Sequence, residues 1–358
     1  LLATAVPFVF QIGPLSMQPY RVFLVATFIP FFLRMVSGKA GPLRAFDYLV
    51  AATAAWHSLA LLRNHGGGGI EAAGIQTLEL MGAYMIGRLG IRNPADFQRM
   101  VRLLFLLVTL MLPFAFLESW TKRPILLEQL PSTIKIIYTA ERWGLRRAQV
   151  VFGHPILYGI FASLAFGLAW YAFSLTASFF ARVFRSGVVF AAVFFSLSAG
   201  ALLSFLIQTA LIGWELLMKN DPKRWKTFGI LCASAYISID LLSNRTPFHV
   251  LVDYATFNPQ ASYARILQFE FGMDNVYARP LFGLGRSDWA RPWWMTNSLD
   301  NFWLLTAMQY GVPGFALMLA AFARTMWEVG KAKLHDPLAW ACRAGWLTAM
   351  GGLVIAGG

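Results

Sequence analysis

The sequence is poor in charge and in cysteine. Only 13% of its 358 residues are charged and 58% are hydrophobic, whereas a soluble domain carries about 25% charged residues. The low charge excludes a single water-soluble globule, and the 15% aromatic content argues against a disordered chain. The two cysteines, Cys232 and Cys342, lie in apolar runs without metal-ligand or redox spacing, so we predict that both are packing residues.

Several familiar catalytic motifs are also absent. The sequence contains no HExxH, GxSxG or DxD, and its five histidines are scattered. Without such clusters a metal site is unsupported, and we predict neither metal nor cofactor. The basic residues outnumber the acidic ones by 30 to 17, and in an apolar chain that excess belongs in cytoplasmic loops rather than on a nucleic-acid surface.

Long apolar runs are what the sequence has in abundance. A helix needs about 20 mostly apolar residues to cross a bilayer, and about eleven runs qualify. They predict an all-α, polytopic membrane bundle, and they lie near 3–18, 20–36, 45–62, 72–91, 101–118, 151–175, 184–198, 201–217, 227–242, 301–323 and 338–356. The chain begins at Leu1 without Met and ends inside an apolar stretch, which predicts that it is an excerpt of a longer protein.

The basic residues predict an orientation for this bundle. If successive loops alternate sides, every short basic connection falls on one side, which the positive-inside rule makes cytoplasmic. Two long loops then face outward, into the periplasm if the cell is Gram-negative. We predict one integral membrane domain, 1–358, made of N-terminal spans (1–118), an outward loop (119–150), further spans (151–242), a long, partly helical outward loop (243–300) and C-terminal spans (301–358).

The two outward loops are rich in arginine. One explanation is that these arginines provide solubility and contact lipid head groups. The alternative is that they bind an anionic ligand at the outer face, because the planar guanidinium matches the spacing of phosphate oxygens. Residues 141–147 could also form an interfacial helix with a basic face. In the second loop, 262–277 has helical spacing, which predicts a helix. Residues 279–286 then give a turn signal. Within this turn, Gly283-x-Gly285 is a weak hint of a phosphate-binding loop.

Two polar residues stand where spans begin. His154 precedes Pro155 at the start of one span, where a capping or hydrogen-bonding role is the default. Asp300 precedes another, as an N-cap or first-turn residue. A carboxylate at the outward mouth of a bundle could also accept the proton of a sugar hydroxyl as general base, and both interpretations of Asp300 can hold together.

Four short segments, in this order, resemble the O-antigen ligase and O-antigen polymerase superfamily of bacterial membrane glycan transferases. Gly153-His154-Pro155 with Gly159 is similar to the "HP…G" span opening, and 198–203 (SAGALL) to "SRGALL". Arg265 followed by 279–285 (RPLFGLG) resembles "R…PLFGxG", and 300–314 resembles "HNxxL…GxxG". The resemblance covers about half of the chain.

The resemblance implies a fold, a reaction and a set of partners. Members of that superfamily take a glycan from an undecaprenyl-diphosphate carrier at the periplasmic face of the inner membrane and transfer it to an acceptor hydroxyl, without metal or nucleotide. It implies a metal-independent polysaccharide polymerase or ligase for O-antigen, capsule or exopolysaccharide. Its partners would be the carrier-linked oligosaccharide, an acceptor glycan or lipid, membrane lipids and other assembly proteins.

The resemblance also implies roles for named residues. Asp300 would be the base, and Arg265 would act with it at the reacting centre. The residues expected to bind substrate are Arg286, Arg279, Arg147, His154 and Asn301.

Two departures from the family pattern limit the comparison. Asp300 stands where the family has His, and Ala199 where it has the Arg of "SRG". A carboxylate can perform the same proton transfer, so the departures favour a polymerase, or a relative acting on another acceptor, over a strict lipopolysaccharide ligase. Two other classes stay open: a transporter or flippase of a lipid-linked glycan, and a non-catalytic subunit of an assembly complex.

Overall fold

The computed structural model describes residues 2–12, 15–130, 134–138, 140–242, 259–299 and 301–357. These residues are mostly helical, with one short antiparallel hairpin of β1 (Phe10–Ile12) and β2 (Leu15–Met17). The helices are α1 (Pro19–Val36), α2 (Ala45–His65), α3 (Ile70–Gly90), α4 (Pro94–Thr121), α5 (Ile125–Gln129), α6 (Pro155–Ala172), α7 (Phe179–Phe195), α8 (Ala199–Leu217), α9 (Arg224–Leu242), α10 (Pro259–Ala278), α11 (Phe302–Lys331) and α12 (Pro337–Ala356).

The first predicted span, 3–18, is wrong. A single 3-10 turn covers Leu2–Ala5, and the β1–β2 hairpin follows it. The sequence explains the difference, because Pro7 and Pro14 each remove a backbone N–H that a continuous helix would need. Apolar composition alone was therefore a poor guide to this segment.

The other ten predicted spans coincide with helices. Within the part of the chain that the structure describes, seven helical segments are long and apolar enough to cross a membrane, and one of them, Ala45–Gly90, contains both α2 and α3. The helix α7 has only 17 residues, and α9 is not among the seven. The chain is thus a multi-pass helical membrane protein, and the predicted count of about eleven spans is not confirmed.

Helix α9 differs from the others in its packing. It contains no buried residue, and Cys232 on it is exposed, so the predicted packing role of that cysteine is wrong. Cys342 on α12 is buried as predicted. The main core instead surrounds α6, which packs between α4, α7, α8 and α12.

Small residues allow the helices around α6 to approach closely. A Cβ placed on Gly167 of α6 would lie 2.9 Å from both Gln208 Oε1 and Thr348 Cγ2. A Cβ on Gly352 of α12 would lie 2.7 Å from Gln208 Cγ. Close backbone approach of this kind is the usual means of association between helices in a bilayer.

The helices alternate between two ends of the bundle. At one end, Arg88 of α3 donates to Asp47 of α2 (3.3 Å). At the same end, Gln98 of α4 donates to the Ala172 carbonyl of α6 (2.7 Å). We call this the basic end; it holds the short connections 37–44, 91–93, 173–178, 218–223 and 332–336.

The opposite end, which we call the loop end, holds 66–69, 140–154 and 279–299. The Phe302 N–H donates to the Gly357 carbonyl there (2.8 Å), joining the start of α11 to the end of α12. The described parts of both long loops lie at this end. Helix α10 covers the 262–277 segment for which helical spacing was predicted, and that prediction is confirmed.

Candidate functional site

Helix α11 is broken at Gly311. The φ and ψ angles of Gly311 are 73° and 175°, a combination that is essentially restricted to glycine. Two residues later, Pro313 has no N–H to donate to the Gln309 carbonyl. The local sequence Gly-Val-Pro therefore interrupts the helical hydrogen bonds inside an apolar bundle, where free carbonyls are costly.

The segment 280–285 supplies the missing partners. It runs along the break and forms three backbone hydrogen bonds: Leu284 N–H to the Met308 carbonyl (2.7 Å), Gly285 N–H to the Gln309 carbonyl (3.0 Å) and Val312 N–H to the Pro280 carbonyl (2.7 Å). The loop thus completes the hydrogen bonding of the helix. These amides are used by protein carbonyls, so the phosphate-loop hint for 283–285 is wrong.

The glycines of this segment are required by close contact. Gly285 has φ +63°, and an added Cβ would lie 2.4 Å from His65 Nε2. A Cβ on Gly283 would lie 2.3 Å from the Met308 carbonyl oxygen. The predicted turn is confirmed, and its glycines hold the loop against α2 and α11.

The C-terminal end of α2 fixes the same loop from the other side. Asn64 Nδ2 donates to the Phe282 carbonyl (3.0 Å), and His65 Nε2 accepts the N–H of Arg286 (2.8 Å). Trp56 stacks on Phe282 with ring centroids 5.3 Å apart. The sequence analysis missed these residues because they lie more than 200 positions from the loop; the only local signal was the Asn64-His65 pair before the four glycines 66–69.

A cavity of about 460 Å³ adjoins this loop and the first turns of α11. Its lining mixes polar and apolar side chains. The polar ones are Arg286, Ser287, Asp288, Asn297 and Gln309, and the apolar ones are Leu284, Trp289, Leu299, Leu305 and Met308. A cavity of this size with a few convergent polar groups is a candidate binding site.

Asp288 is the only carboxylate in the described lining of the cavity. It forms an ion pair with Arg291, whose guanidinium also donates to the Met295 carbonyl (3.2 Å). The hydrogen bond from Arg291 holds the pKa of Asp288 below its usual range. The carboxylate is therefore ionised and already partnered at neutral pH, which makes it a weak proton acceptor.

The structure places three of the predicted site arginines beside this cavity or on the elements next to it. Arg286 lines the cavity with an exposed side chain. Arg279 is exposed just beyond the end of α10. Arg265 is half-buried on α10, one turn before Gln268, whose amide donates to the Ser298 carbonyl (3.2 Å).

The start of α11 corrects one prediction. Asn301 is the N-cap, and its Oδ1 accepts the Leu304 N–H (2.8 Å). The N-cap interpretation of Asp300 is therefore wrong. Asp300 itself lies outside the described residues, so its general-base role stays a prediction.

Arg147 and His154 do not line this cavity. Arg147 is buried with its Nε 3.5 Å from the Ser196 carbonyl. His154 is the N-cap of α6, and its Nδ1 accepts the Ile156 N–H (3.2 Å), which confirms the predicted capping role. Their predicted part in substrate binding is not tested by these contacts.

The predicted interfacial helix at 141–147 is also wrong. Arg142 and Leu145 pair across a tight turn, with φ values of 53° at Trp143 and 74° at Gly144. The residues that follow the turn are fixed to α4, because the buried carboxylate of Glu118 accepts the Val150 N–H (2.9 Å). This segment is thus a tight turn with an exposed tip, and the chain is buried in the loop end from Arg146 to Val151.

Comparison with known proteins yields no match: no family model, no curated protein and no solved structure matches this chain. The resemblance to a transferase superfamily accordingly rests on the four sequence segments alone. Among the residues that the structure describes, no group of three or more His, Cys, Asp or Glu is placed to hold a metal ion.

The contact between His65 and Arg286 yields a testable prediction. His65→Leu removes the acceptor of the Arg286 N–H, and this loss should lower the free energy of unfolding by about 1 kcal/mol. Hydrogen exchange of the 283–288 amides, measured by mass spectrometry, should become faster. His65→Gln offers a side-chain oxygen near the position of Nε2 and should restore much of the protection. Equal exchange in the wild type and both variants would contradict an anchoring role.

Proposed function

We propose that this protein is a metal-independent membrane glycosyltransferase that moves a glycan from a polyprenyl-diphosphate carrier to the hydroxyl of an acceptor glycan or lipid. The observation that carries the proposal is the cavity beside Arg286, next to the first turns of α11. In this proposal the loop end faces the periplasm from the inner membrane. The product would be a cell-surface polysaccharide such as O-antigen, capsule or exopolysaccharide.

The charge of the leaving group motivates the arginine roles. Cleavage of a sugar–diphosphate bond builds negative charge on the departing phosphate, and preorganised donors stabilise such charge strongly in a site that excludes water. Arg286 lines the cavity, and Arg265 and Arg279 belong to the adjoining α10 and its end. Each guanidinium group can form two parallel hydrogen bonds to the oxygens of one phosphate.

Asp300 is the proposed proton acceptor. In the sequence it stands between Leu299, which lines the cavity, and Asn301, the cap of α11. Asp288, the other carboxylate nearby, is already paired with Arg291. The Oδ1 of Asn301 is engaged by the cap, which leaves its NH₂ group to orient the acceptor. Attack opposite the leaving diphosphate would invert the anomeric carbon.

The break in α11 favours one other function. Discontinuous helices line substrate and ion sites in many transporters, so a transporter or flippase of a lipid-linked glycan is the second candidate. In this chain the Met308 and Gln309 carbonyls are occupied by loop amides. These two carbonyls are therefore already hydrogen-bonded within the protein rather than left open to a transported ion, which favours the transferase.

The decisive experiment supplies the reconstituted protein with a polyprenyl-diphosphate oligosaccharide. A transferase releases the free carrier diphosphate, whereas a transporter moves the label across the vesicle with the bond intact, and a non-catalytic subunit does neither. Asp300→Asn should retain substrate binding and lower turnover by about 10²–10⁴-fold, the usual contribution of a general base. Arg265→Lys should also lower turnover, since an ammonium cannot reproduce the two-pronged contact.

Matched variants make this experiment specific. Asp274→Asn makes the same chemical change at an exposed position of α10 that does not line the cavity, and it should leave turnover unchanged. If Asp288→Asn abolishes turnover and Asp300→Asn does not, the base is Asp288. Full turnover in both variants would remove the carboxylates from the mechanism.

A further inference from the structure

A second cavity extends along α12 from the basic end of the bundle. Its volume is about 570 Å³, and α8, α9, α11 and α12 bound it. Along α12 its lining runs from Trp340 to Ile355, about 22 Å of helix at 1.5 Å per residue. One leaflet with its head-group region is about 20–22 Å thick. This groove therefore has the length of one leaflet.

The chemistry of the groove changes along its length. Leu211, Leu347 and Ile355 line the part farther from the basic end. Arg224 and Arg343 line the part at the basic end, where Trp225 and Trp340 accompany them. Tryptophan and arginine at one end of an apolar groove match the border between lipid tails and head groups.

Arg224 has donor capacity left at this border. Its Nη2 lies 3.4 Å from Glu215, and its Nη1 donates to the Lys219 carbonyl (3.2 Å). Its Nε is buried, and no hydrogen-bond partner for it exists in the described part of the chain. A buried donor without a partner is costly, and an oxygen of a ligand would satisfy it.

The balance of charge in the groove selects the sign of that ligand. Glu215 is the only acidic residue in the lining that the structure describes, and it is engaged by both Arg224 and the Tyr171 hydroxyl. Arg343 is left without a carboxylate partner there, and its described hydrogen bond goes to the Ala332 carbonyl. The mouth of the groove therefore carries a net positive charge.

We propose that this groove binds one anionic phospholipid of the surrounding membrane. The head-group phosphate contacts Arg224 and Arg343, and an acyl chain follows α12 toward Ile355. The basic end is the side that the sequence predicts to be cytoplasmic, and anionic lipids are concentrated in the cytoplasmic leaflet. Each nearby arginine contributes about 1 kcal/mol to their attraction. The site lies apart from the cavity of the proposed transferase and does not depend on that function.

Native mass spectrometry of the detergent-purified chain tests the charge dependence. After incubation with phosphatidylglycerol or phosphatidylcholine, the chain should retain phosphatidylglycerol preferentially. Arg343→Gln should lower that retention about fivefold, the equivalent of about 1 kcal/mol. The control Arg99→Gln removes an exposed arginine at the same end, outside the groove, and should change nothing. Equal retention of the two lipids would overturn the proposal.

A second variant tests the groove without removing charge. Gly330 lines the groove, and a Cβ added there meets no atom within 4 Å. Gly330→Leu should therefore fold normally and displace the lipid. Gly229→Leu, at an equally open position of α9 that does not line the groove, is the matched control.

Competition by a small anion distinguishes the two sources of phosphate. Inorganic phosphate should displace little phosphatidylglycerol if the acyl chain contributes to binding. Complete displacement by phosphate, or unchanged lipid retention in Gly330→Leu, would show that the arginines form a simple anion site and would overturn the assignment to a lipid.

Discussion

Replacing Gly311 by leucine is expected to destabilise the protein by about 3 kcal/mol or more, through backbone strain and overpacking together. The backbone at Gly311 has φ 73°, and an added Cβ would lie 2.1 Å from the Leu281 carbonyl oxygen. That oxygen is backbone and cannot rotate away. Thermal unfolding in detergent measures the loss, and proteolysis within 279–286 should accelerate because the loop can no longer lie against α11.

Gly213→Ala is the control for this prediction. Gly213 lies within α8, and an added Cβ there meets nothing within 4 Å. Alanine is the better helix former by about 1 kcal/mol, so this variant should be neutral or slightly more stable. If Gly311→Leu were as stable as Gly213→Ala, the break in α11 would not depend on the loop contact.

Glu118→Ala is expected to lower the free energy of unfolding by about 3–5 kcal/mol, the usual result when one member of a buried ion pair is removed. The side chains of Glu118 and Arg146 are only 3% and 8% exposed, and the carboxylate lies 3.5 Å from Arg146 Nε. The same carboxylate accepts the N–H groups of Gln149 (3.2 Å) and Val150 (2.9 Å). Alanine would leave the Arg146 charge buried without its counter-ion, with the hydrogen bond to the Ile137 carbonyl and the Tyr138 ring still beside it, and would leave the two amides without their acceptor.

Two companion variants separate these contributions. Glu118→Gln keeps one acceptor oxygen and the shape, so its cost should fall between those of the wild type and alanine. Glu128→Ala removes the acid of an exposed pair, in which Arg123 is 72% exposed, and should cost less than about 1 kcal/mol. Thermal unfolding of all variants in one detergent gives the order of their stabilities. If Glu118→Ala lost only about as much stability as Glu128→Ala, Arg146 would have found another partner.

Much of the helical fold could be predicted from the pattern of apolar residues. Ten predicted spans coincide with helices because a run of apolar residues in a bilayer must satisfy its backbone internally, and a helix does so within the run. The rule failed at 3–18, where the prolines interrupt the run and a hairpin forms. The predicted spans at α7 and α9 are helical, but neither helix is among the seven candidate membrane spans, so these two spans are not confirmed.

The candidate site was predictable only in part. The turn at 279–286 and the helix of 262–277 were visible locally, since glycine and helical spacing act over a few residues. The cap of α11 was assigned to Asp300 but belongs to its neighbour Asn301, because the end of a helix is defined by which side chain reaches the first free amides. A shift of one residue is below what spacing can resolve.

The sequence by itself determined that the chain is a helical membrane protein and where most of its helices lie, since both follow from short-range chemistry. The apolar run 301–323 predicted an uninterrupted span, and only the tertiary structure showed that α11 breaks at Gly311 and how the break is sealed. The end of α2 meets the loop 280–285 across more than 200 residues of chain, and the same loop packs against α11. Such contacts depend on which helices become neighbours when their apolar faces pack, and no local pattern encodes that choice.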